Sequence, residues 1–442
     1  MLNNLKILIL HVGTMANKGT QALVKSEFAE ICKLYKKVEM SVSTTDVSGV
    51  EEYGPRYKNI TPTLVDIPYE KADERAKKYH YSRDSLVYKL HAIYRLFISI
   101  FQIPLTLISS ILVKIGLPGL CKSKTLLCMK ECELIISTSD ENFKEGSSNL
   151  PLSLIWLVTW WMMLFSRMWD LVIAKKIFKK TIIVFPNSVG PFRTIVGKGM
   201  GKLILHHIDA VLVRERFSME AINKLNVKKV NNYPTSDIAL LFEECFESKI
   251  SLKGEYIGIC AGCYSGVLNA EGKEKYVNSH AIAFDRFVEK YKVKIAFIPH
   301  YISGFPNDDL DVSKQIYLKM KNNSKANVIV VNTADEFRAL LGRMKMVITS
   351  KMHPGVLALS KYVPTLAIVY DYKQSGLFEQ LEMTQYTIGF EEIDEKSLYE
   401  KMELTWSNRD QIKNLLRERI PVLQQDVRNN ILMVLRKYGG LT

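Results

Sequence analysis

A chain of 442 residues is long for a single hydrophobic core, and a span of roughly 100 to 200 residues per domain predicts two domains, or three. Its 24% charged and 47% hydrophobic residues are those of a globular protein and exclude a disordered one. A formal net charge of +14 favours anionic partners, phosphorylated metabolites, acidic lipid headgroups or nucleic acid, with a merely solvated basic surface as the other reading.

The chain opens with an apolar strand, Ile7 to Leu10. A loop follows, and then a helix whose apolar positions Val24, Phe28, Ile31 and Tyr35 recur at helical spacing. Val38, Met40 and Val42 alternate as a second strand. This βαβ opening contains Gly13 and Gly19 but not the spaced glycines of a dinucleotide fingerprint, so a nucleotide cofactor is not indicated. Asn17, Gly19 and Thr20 either present backbone amides to an anion or sugar at the helix start, or form an ordinary cap and turn.

From Leu96 to Val113 no residue is charged, and Arg95 and Lys114 flank the run. A second apolar block, Leu150 to Phe165, carries Trp156, Trp160 and Trp161, with Trp169 beyond it, and leads into Lys175, Lys176, Lys179 and Lys180. Tryptophan beside lysine suits a membrane interface, so both blocks are expected to lie on an anionic bilayer, with packing on the sheet and true spanning as the other readings. Between them Glu133 to Ser137 reads as a strand, followed by the polar Thr138 to Asn142.

Thr181 to Phe185 and Ala210 to Val213 are further strands. The second delivers Arg214 and Arg216 at its end, a position suited to phosphate or carboxylate recognition, with an ion pair to Glu215 or Glu220 as the structural alternative. Ser218 is expected to cap the following helix. A linker of mixed charge, Glu243 to Glu255, separates the halves. The second half alternates again: strand Tyr256 to Ile259, helix Ala281 to Tyr291, strand Lys294 to Ile298, helix Asp309 to Met320, and strand Val328 to Val331. Thr333 and Glu336 form a capping box. Met346 to Ile348 then runs into Thr349, Ser350, Lys351, Met352 and His353, and Thr365 to Tyr370 runs into Asp371, Tyr372 and Lys373. Ligands of open α/β sheets bind beyond the carboxyl ends of strands, so two adjacent strands bring one imidazole and two ammonium groups to one crevice. The last segment, Arg409 to Tyr438, is an amphipathic helix expected to cross back to the N-terminal half. The expected domains are residues 1–240, 250–405 and a terminal helix, 406–442.

Seven scattered cysteines make no disulfide framework, and Cys260 with Cys263 has no second pair to build a zinc site. The opening residues are too short in their apolar run for a signal peptide, so a cytoplasmic location, peripheral at the inner face of the membrane, is expected.

The strand ending in Ser350, Lys351, Met352 and His353, its small-residue helix, and the Pro-led strand ending in Tyr370-Asp371-Tyr372-Lys373 together resemble the C-terminal signature of the polysaccharide pyruvyl transferase family. Asn17 and Gly19, Asn187 to Phe192, Arg214 to Ser218, Ser236 to Ala239, and Ile298 to His300 with Asp308 and Asp309 follow in the family's order. The resemblance implies a GT-B-like α/β fold, two Rossmann-like domains with parallel sheets facing a central cleft. It also implies transfer of the enolpyruvyl carbons of phosphoenolpyruvate onto two hydroxyls of one sugar of a polysaccharide or lipid-linked glycan, giving a cyclic ketal and phosphate. Such chemistry needs cations for the donor and an acid or base titrating near neutrality. His353 is the catalytic candidate. Lys351, Arg214, Lys373 and Arg216 are candidates for the donor anion, and Asn17, Gly19, Thr20, Asn187 and His300 for the acceptor or the cleft lining. No metal, no cofactor beyond the co-substrate, and no nucleic acid are expected. Two departures stand out: Lys351 where the family has arginine, and Thr138 to Asn142 where it has a Gly-Gly loop. A nucleotide-sugar glycosyltransferase on the same architecture and a non-catalytic membrane-surface protein are the competing readings.

Overall fold

The computed structural model describes residues 5–46, 57–67, 73, 75–76, 85–146, 154–227, 230–245, 250–262, 270–305 and 308–440. Cys263 and the start of the second apolar block, including the Trp156 side chain, lie outside the described residues. The described strands form two sheets. The first comprises β1 (Leu5–Val12), β2 (Val38–Thr44), β3 (Tyr57–Pro62), β4 (Leu134–Ser137), β5 (Asp140–Phe143), β6 (Thr181–Val189), β7 (Ala210–Val213) and β8 (Asn231–Pro234). They lie in the order β3-β2-β1-β4-β6-β7-β8, with β5 paired to β6. The second sheet comprises β9 (Tyr256–Cys260), β10 (Lys294–Phe297), β11 (Ala326–Val328), β12 (Met346–Thr349), β13 (Thr365–Val369) and β14 (Thr387–Gly389). Its order is β11-β10-β9-β12-β13-β14. All pairings within the two sheets are parallel, and each order reverses beside its first strand, so the switch points lie between β1 and β4 and between β9 and β12.

The first lobe carries α1 (Lys18–Leu34), α2 (Leu86–Lys114), α3 (Lys124–Glu131), α4 (Leu154–Val172), α5 (Ile195–His207) and α6 (Arg216–Leu225). The second carries α7 (Ala270–Tyr291), α8 (Asp309–Lys319), α9 (Ala334–Leu341), α10 (Met352–Leu359), α11 (Tyr372–Gln380) and α12 (Glu395–Ser407), after which α13 (Arg409–Tyr438) ends the fold. Strand alternation explains the layering. In β1, Ile7 and Ile9 enter the core shared with α1 and α10, whereas Leu8 and Leu10 enter a separate core with α3 and α4. Because side chains of period two feed both faces, β1 must be covered on both. The core beside α1 is continuous with apolar residues of β12, α10 and α13, so one hydrophobic cluster runs through both lobes.

Four local expectations need correction. The strand expected at Val328 to Val331 lies earlier, at Ala326–Val328, since its ladder with β10 ends at Phe297 and Val330 faces solvent. The helix expected from Ala281 begins at Ala270, its first turns being polar and charged and so giving no apolar period. Ser218 is not a cap: it lies inside α6, where its hydroxyl accepts the Val189 N–H at 2.7 Å and donates to Glu215. The Glu336 carboxylate accepts from the Asn332 N–H, one residue before the cap, while Thr333 caps α9 as expected.

The two apolar blocks behave differently. In α4 the Trp161 indole donates to Glu145 and the Trp169 indole to Thr106, while Lys175 binds Asp209 and Lys180 binds the carbonyl of Cys132. These indoles and ammonium groups, expected at a headgroup layer, are turned into the protein. Helix α2 is inverted instead. Its buried residues include Ser99 and Ser110, and Gln102 hydrogen-bonds both the backbone and the carboxylate of Asp66, at 2.8 and 3.1 Å. Most of its leucines and isoleucines and both phenylalanines face outward, Phe101 being 68% exposed.

Candidate functional site

The carboxyl ends of β12 and β13 meet those of β1, β4 and β5 between the lobes. Lys351 caps α10 and His353 is its second residue, so the imidazole stands at a helix N-terminus and points at the first lobe. There it meets Gly19. A Cβ on Gly19 would lie 2.3 Å from the His353 Nδ1, a distance no side chain tolerates, so only glycine leaves room for the ring. The Gly19 N–H itself donates to the Asn17 side chain at 2.9 Å. Asn17 is thus an N-cap, and the Gly19 amide expected to face a ligand is already used. Asn17 also forms an antiparallel bridge with Tyr301, which ties the α1 entry loop to the second lobe, and Thr20 is buried in the first turn of α1.

Among the described residues the His353 Nε2 is buried with no hydrogen-bond partner, and so are both ring nitrogens of His300, whose centroid lies 6.3 Å from that of His353. Buried polar atoms are rarely left unsatisfied, so these ring nitrogens are open to a bound water, ion or substrate group. Burial lowers the pKa of His353; the carboxylates of Asp237 and Asp140 pull it back up, and the Arg214 and Lys373 cations push it down. Burial with Lys351, His353 and Lys18 nearby drives His300 well below its ordinary value. Both imidazoles are therefore neutral near pH 7.

Each cation around this pair carries a carboxylate or carbonyl partner. Lys351 binds Asp309 at 2.7 Å and crosses Gly262, where a Cβ would sit 2.6 Å from its Cε. Lys373 and Lys144 share Glu141, at 2.6 and 2.7 Å. Burial alone would raise the Glu141 carboxyl, but the two ammonium groups hold it well below the usual carboxylate range. Lys18 donates to the His300 carbonyl at 2.9 Å.

The remaining candidates stand elsewhere or in other roles. Arg214 is fully buried, with one guanidinium nitrogen 2.6 Å from Asp237 and two on the Ser188 hydroxyl, so it braces the wall near His353 and its fork does not project into the cleft. The ion-pair alternative holds, with Asp237 as the main partner and Glu215 at 3.9 Å. Arg216 does not reach the site: its side chain is 76% exposed and pairs with Glu220. Asn187 staples the polar loop, donating to the Thr138 carbonyl at 3.0 Å and accepting from the Asn142 N–H at 3.1 Å. In that loop Thr138 and Ser139 donate to Glu27, whose carboxyl burial pushes up to about 7. The residues that sequence reasoning missed are Lys18, Lys144, Glu141, Asp237 and Asp309. Asp237, Asp309 and Glu141 did lie in segments already singled out, but nothing in the sequence joined Glu141 to Lys373, 232 residues away along the chain, or gave Lys144, its nearer partner, a role.

Two parallel, doubly wound lobes with the chemistry at their facing strand ends define a GT-B-like α/β protein. Solved structures of this class superpose along nearly the whole chain. Staphylococcus aureus MnaA with UDP is 12% identical, TM-score 0.56, covering 99% of this chain and 98% of that one. Neisseria meningitidis UDP-GlcNAc 2-epimerase bound to UDP-GlcNAc is 10% identical, TM-score 0.55, covering 98% and 100%. A glycosyltransferase from Rickettsia africae is 10% identical, TM-score 0.53, covering 98% of each. At such identity the likeness concerns the fold alone. The polysaccharide pyruvyl transferase profile matches residues 50–372, and the chain belongs to that family. A curated relative, the amylovoran biosynthesis protein AmsJ of Erwinia amylovora, is 19% identical over 250 residues, 53% of this chain and 60% of that protein.

Proposed function

We propose that this protein transfers a pyruvyl group from phosphoenolpyruvate to two hydroxyls of one sugar in a polysaccharide or lipid-linked glycan. The observation that carries the reading is the neutral, buried His353 with its unpartnered Nε2, in the field of Lys373 and beside His300 with its neighbouring Lys351 and Lys18, in a chain of this family. A donor bearing a carboxylate and a phosphate competes with Glu141 and Asp309 for these ammonium groups, and its negative charge raises the His353 pKa towards neutrality. The imidazole then takes a hydroxyl proton and returns one to the methylene carbon of the enol. The first sugar oxygen bonds to the central carbon, the C–O bond to phosphate breaks, and the second oxygen closes the ketal. Of the two hydroxyl protons, one ends on the new methyl group and the other leaves with phosphate. The reaction calls on no cofactor beyond its co-substrate.

A membrane-linked acceptor accords with α2. Its outer face is apolar from Leu86 to Ile115, and the exposed Lys89, Lys114, Lys122 and Lys124 stand at its two ends, complementary to anionic headgroups. In this reading the protein is cytoplasmic and peripheral at the inner leaflet.

The test is calorimetric titration with phosphoenolpyruvate, followed by phosphate release with a panel of pyranoside acceptors. Saturable binding and acceptor-dependent phosphate release are expected. Binding of a nucleoside diphosphate sugar in place of phosphoenolpyruvate would overturn the proposal.

A further inference from the structure

Beside the segment Thr138 to Phe143, at the end of β1, lies a second polar recess, which the chemistry above does not use. Asp140 and Glu141 face the cleft, whereas Phe143 packs edge-on against the His11 ring, centroids 5.6 Å apart, and the Asn142 carbonyl accepts from Arg167 at 2.7 Å. His11 sits near the end of β1 with φ +66°, in the left-handed region that few non-glycine residues occupy. Its Nδ1 contacts the Ser137 hydroxyl at 2.9 Å, and its Nε2 lies 3.7 Å from Asp170 of α4. The His11 Nε2 and both carboxyl oxygens of Asp170 are buried and make no well-formed hydrogen bond among the described residues, although the Leu64 backbone approaches Asp170 and the Arg167 backbone approaches His11. Burial pushes the Asp170 carboxyl up to about 8 and the His11 imidazole down to about 3. The two groups thus face each other uncharged, one a carboxylic acid that donates and accepts, the other a neutral ring.

They line a cavity of 20 Å³ together with Gly13, Thr45, Thr63 and Arg167. About 10 to 15 Å³ holds one water, so the space admits one oxygen and not a sugar ring. An oxygen that both donates and accepts is a hydroxyl or water. Gly13 lines the recess, and a Cβ there would lie 3.6 Å from the hydroxyl of Thr20, the neighbour of the Gly19 that meets His353.

We infer that His11 and Asp170 form a specificity recess for one hydroxyl of the acceptor sugar, holding the ring so that other hydroxyls face His353. The inference rests on the acceptor being a sugar, as proposed above. In this role His11 and Asp170 position the acceptor and take no part in proton transfer to the donor.

The experiment measures binding of methyl pyranosides and their monodeoxy analogues to the full-length protein without phosphoenolpyruvate, by saturation-transfer NMR and calorimetry. Wild-type protein is expected to bind at least one glycoside about tenfold or more tightly than one of its deoxy analogues, as a site built around a hydroxyl should. Asp170→Asn and His11→Asn should abolish that discrimination while keeping phosphoenolpyruvate affinity within about twofold; asparagine is chosen at position 11 because it tolerates positive φ. Thr63→Val, at the rim, gives a milder variant should either fail to fold, and a reduced discrimination is expected of it. Undiminished discrimination in the folded variants, or a wild type that distinguishes no glycoside from its deoxy analogues, would overturn the recess. Donor binding is read separately, so loss of phosphoenolpyruvate affinity in the wild type would count against the proposed reaction and leave the sugar test standing.

Discussion

At the scale of single residues the site turns on a glycine and a histidine from different lobes. Gly19→Ala would drive a methyl group into the His353 ring, and turnover is expected to fall about as far as in His353→Ala, roughly 100-fold or more, with phosphoenolpyruvate affinity largely kept in both. Calorimetry beside phosphate release checks the pair; unchanged turnover in either removes the imidazole from the mechanism. The pH profile gives a signed test. In the free protein His353 is depressed, so in the pH profile of kcat/KM the neutral base survives as pH falls through 6.5 and activity is lost only below it. Lys373 is one of the cations that depress it, so Lys373→Gln should move the acid limb to higher pH. A limb that stays put or moves down would assign the titration to another group. Buried Arg214 makes a different prediction, of stability: Asp237→Asn leaves the guanidinium uncompensated and should cost about 3–5 kcal/mol in denaturant unfolding. Lys351 and His353 were legible because a strand end announces where ligands sit. Their carboxylate partners were not, since Asp309 reaches Lys351, and Glu141 reaches Lys373, only after the chain has folded back.

Among the elements, α2 departs furthest from the usual rule, polar side inward and apolar side outward. Phe97, Phe101 and Ile108 are exposed on it, and replacing all three with Asp should leave the melting temperature nearly unchanged, surface changes being small in effect, within about 0.5 kcal/mol each. Flotation with vesicles containing anionic lipid should recover wild-type protein and lose the triple variant. Equal flotation of both, or a wild type that dimerises through this face and ignores vesicles, would sink the membrane reading. The strands were largely legible because a buried parallel strand is a short apolar run bounded by turn residues. The pairing order was not, as nothing in β4 or β12 says that it lies beside the first strand of its sheet. The tryptophan-rich α4 shows the limit most clearly: an indole aimed at Glu145 or Thr106 and one aimed at lipid look the same along the chain.

For the molecule as a whole, two kinds of contact hold the lobes together, and they should fail differently. On the outside, α13 begins beside the second lobe, where Arg419 binds Glu382, and crosses to the first, where the Gln424 amide donates to the Leu240 carbonyl at 2.7 Å and the Tyr35 hydroxyl donates to the Gly439 carbonyl at 3.1 Å. Its Ile412, Leu416, Ile420, Val427, Ile431 and Leu435 recur at helical spacing and are buried, so this brace is chiefly hydrophobic. Across the cleft, beside the apolar packing of α1 on α10, the contacts are polar: Lys373 with Glu141, Lys25 with Asp335, and the Gln380 amide with the Arg214 carbonyl. A polar latch suits a cleft that must admit an anion, because the same ammonium groups that close it are those a donor would take. Glu141→Gln removes the carboxylate that occupies both Lys144 and Lys373. It should loosen the lobes, seen as a larger radius of gyration by small-angle scattering, and at low salt lower the dissociation constant for phosphoenolpyruvate severalfold, since the donor no longer competes with a fixed anion. Adding the donor should then restore the compact form. Weaker donor binding in Glu141→Gln would mean that the carboxylate orients the lysines for the donor rather than competing with it, and an unchanged radius would mean that α13 alone sets the spacing of the lobes.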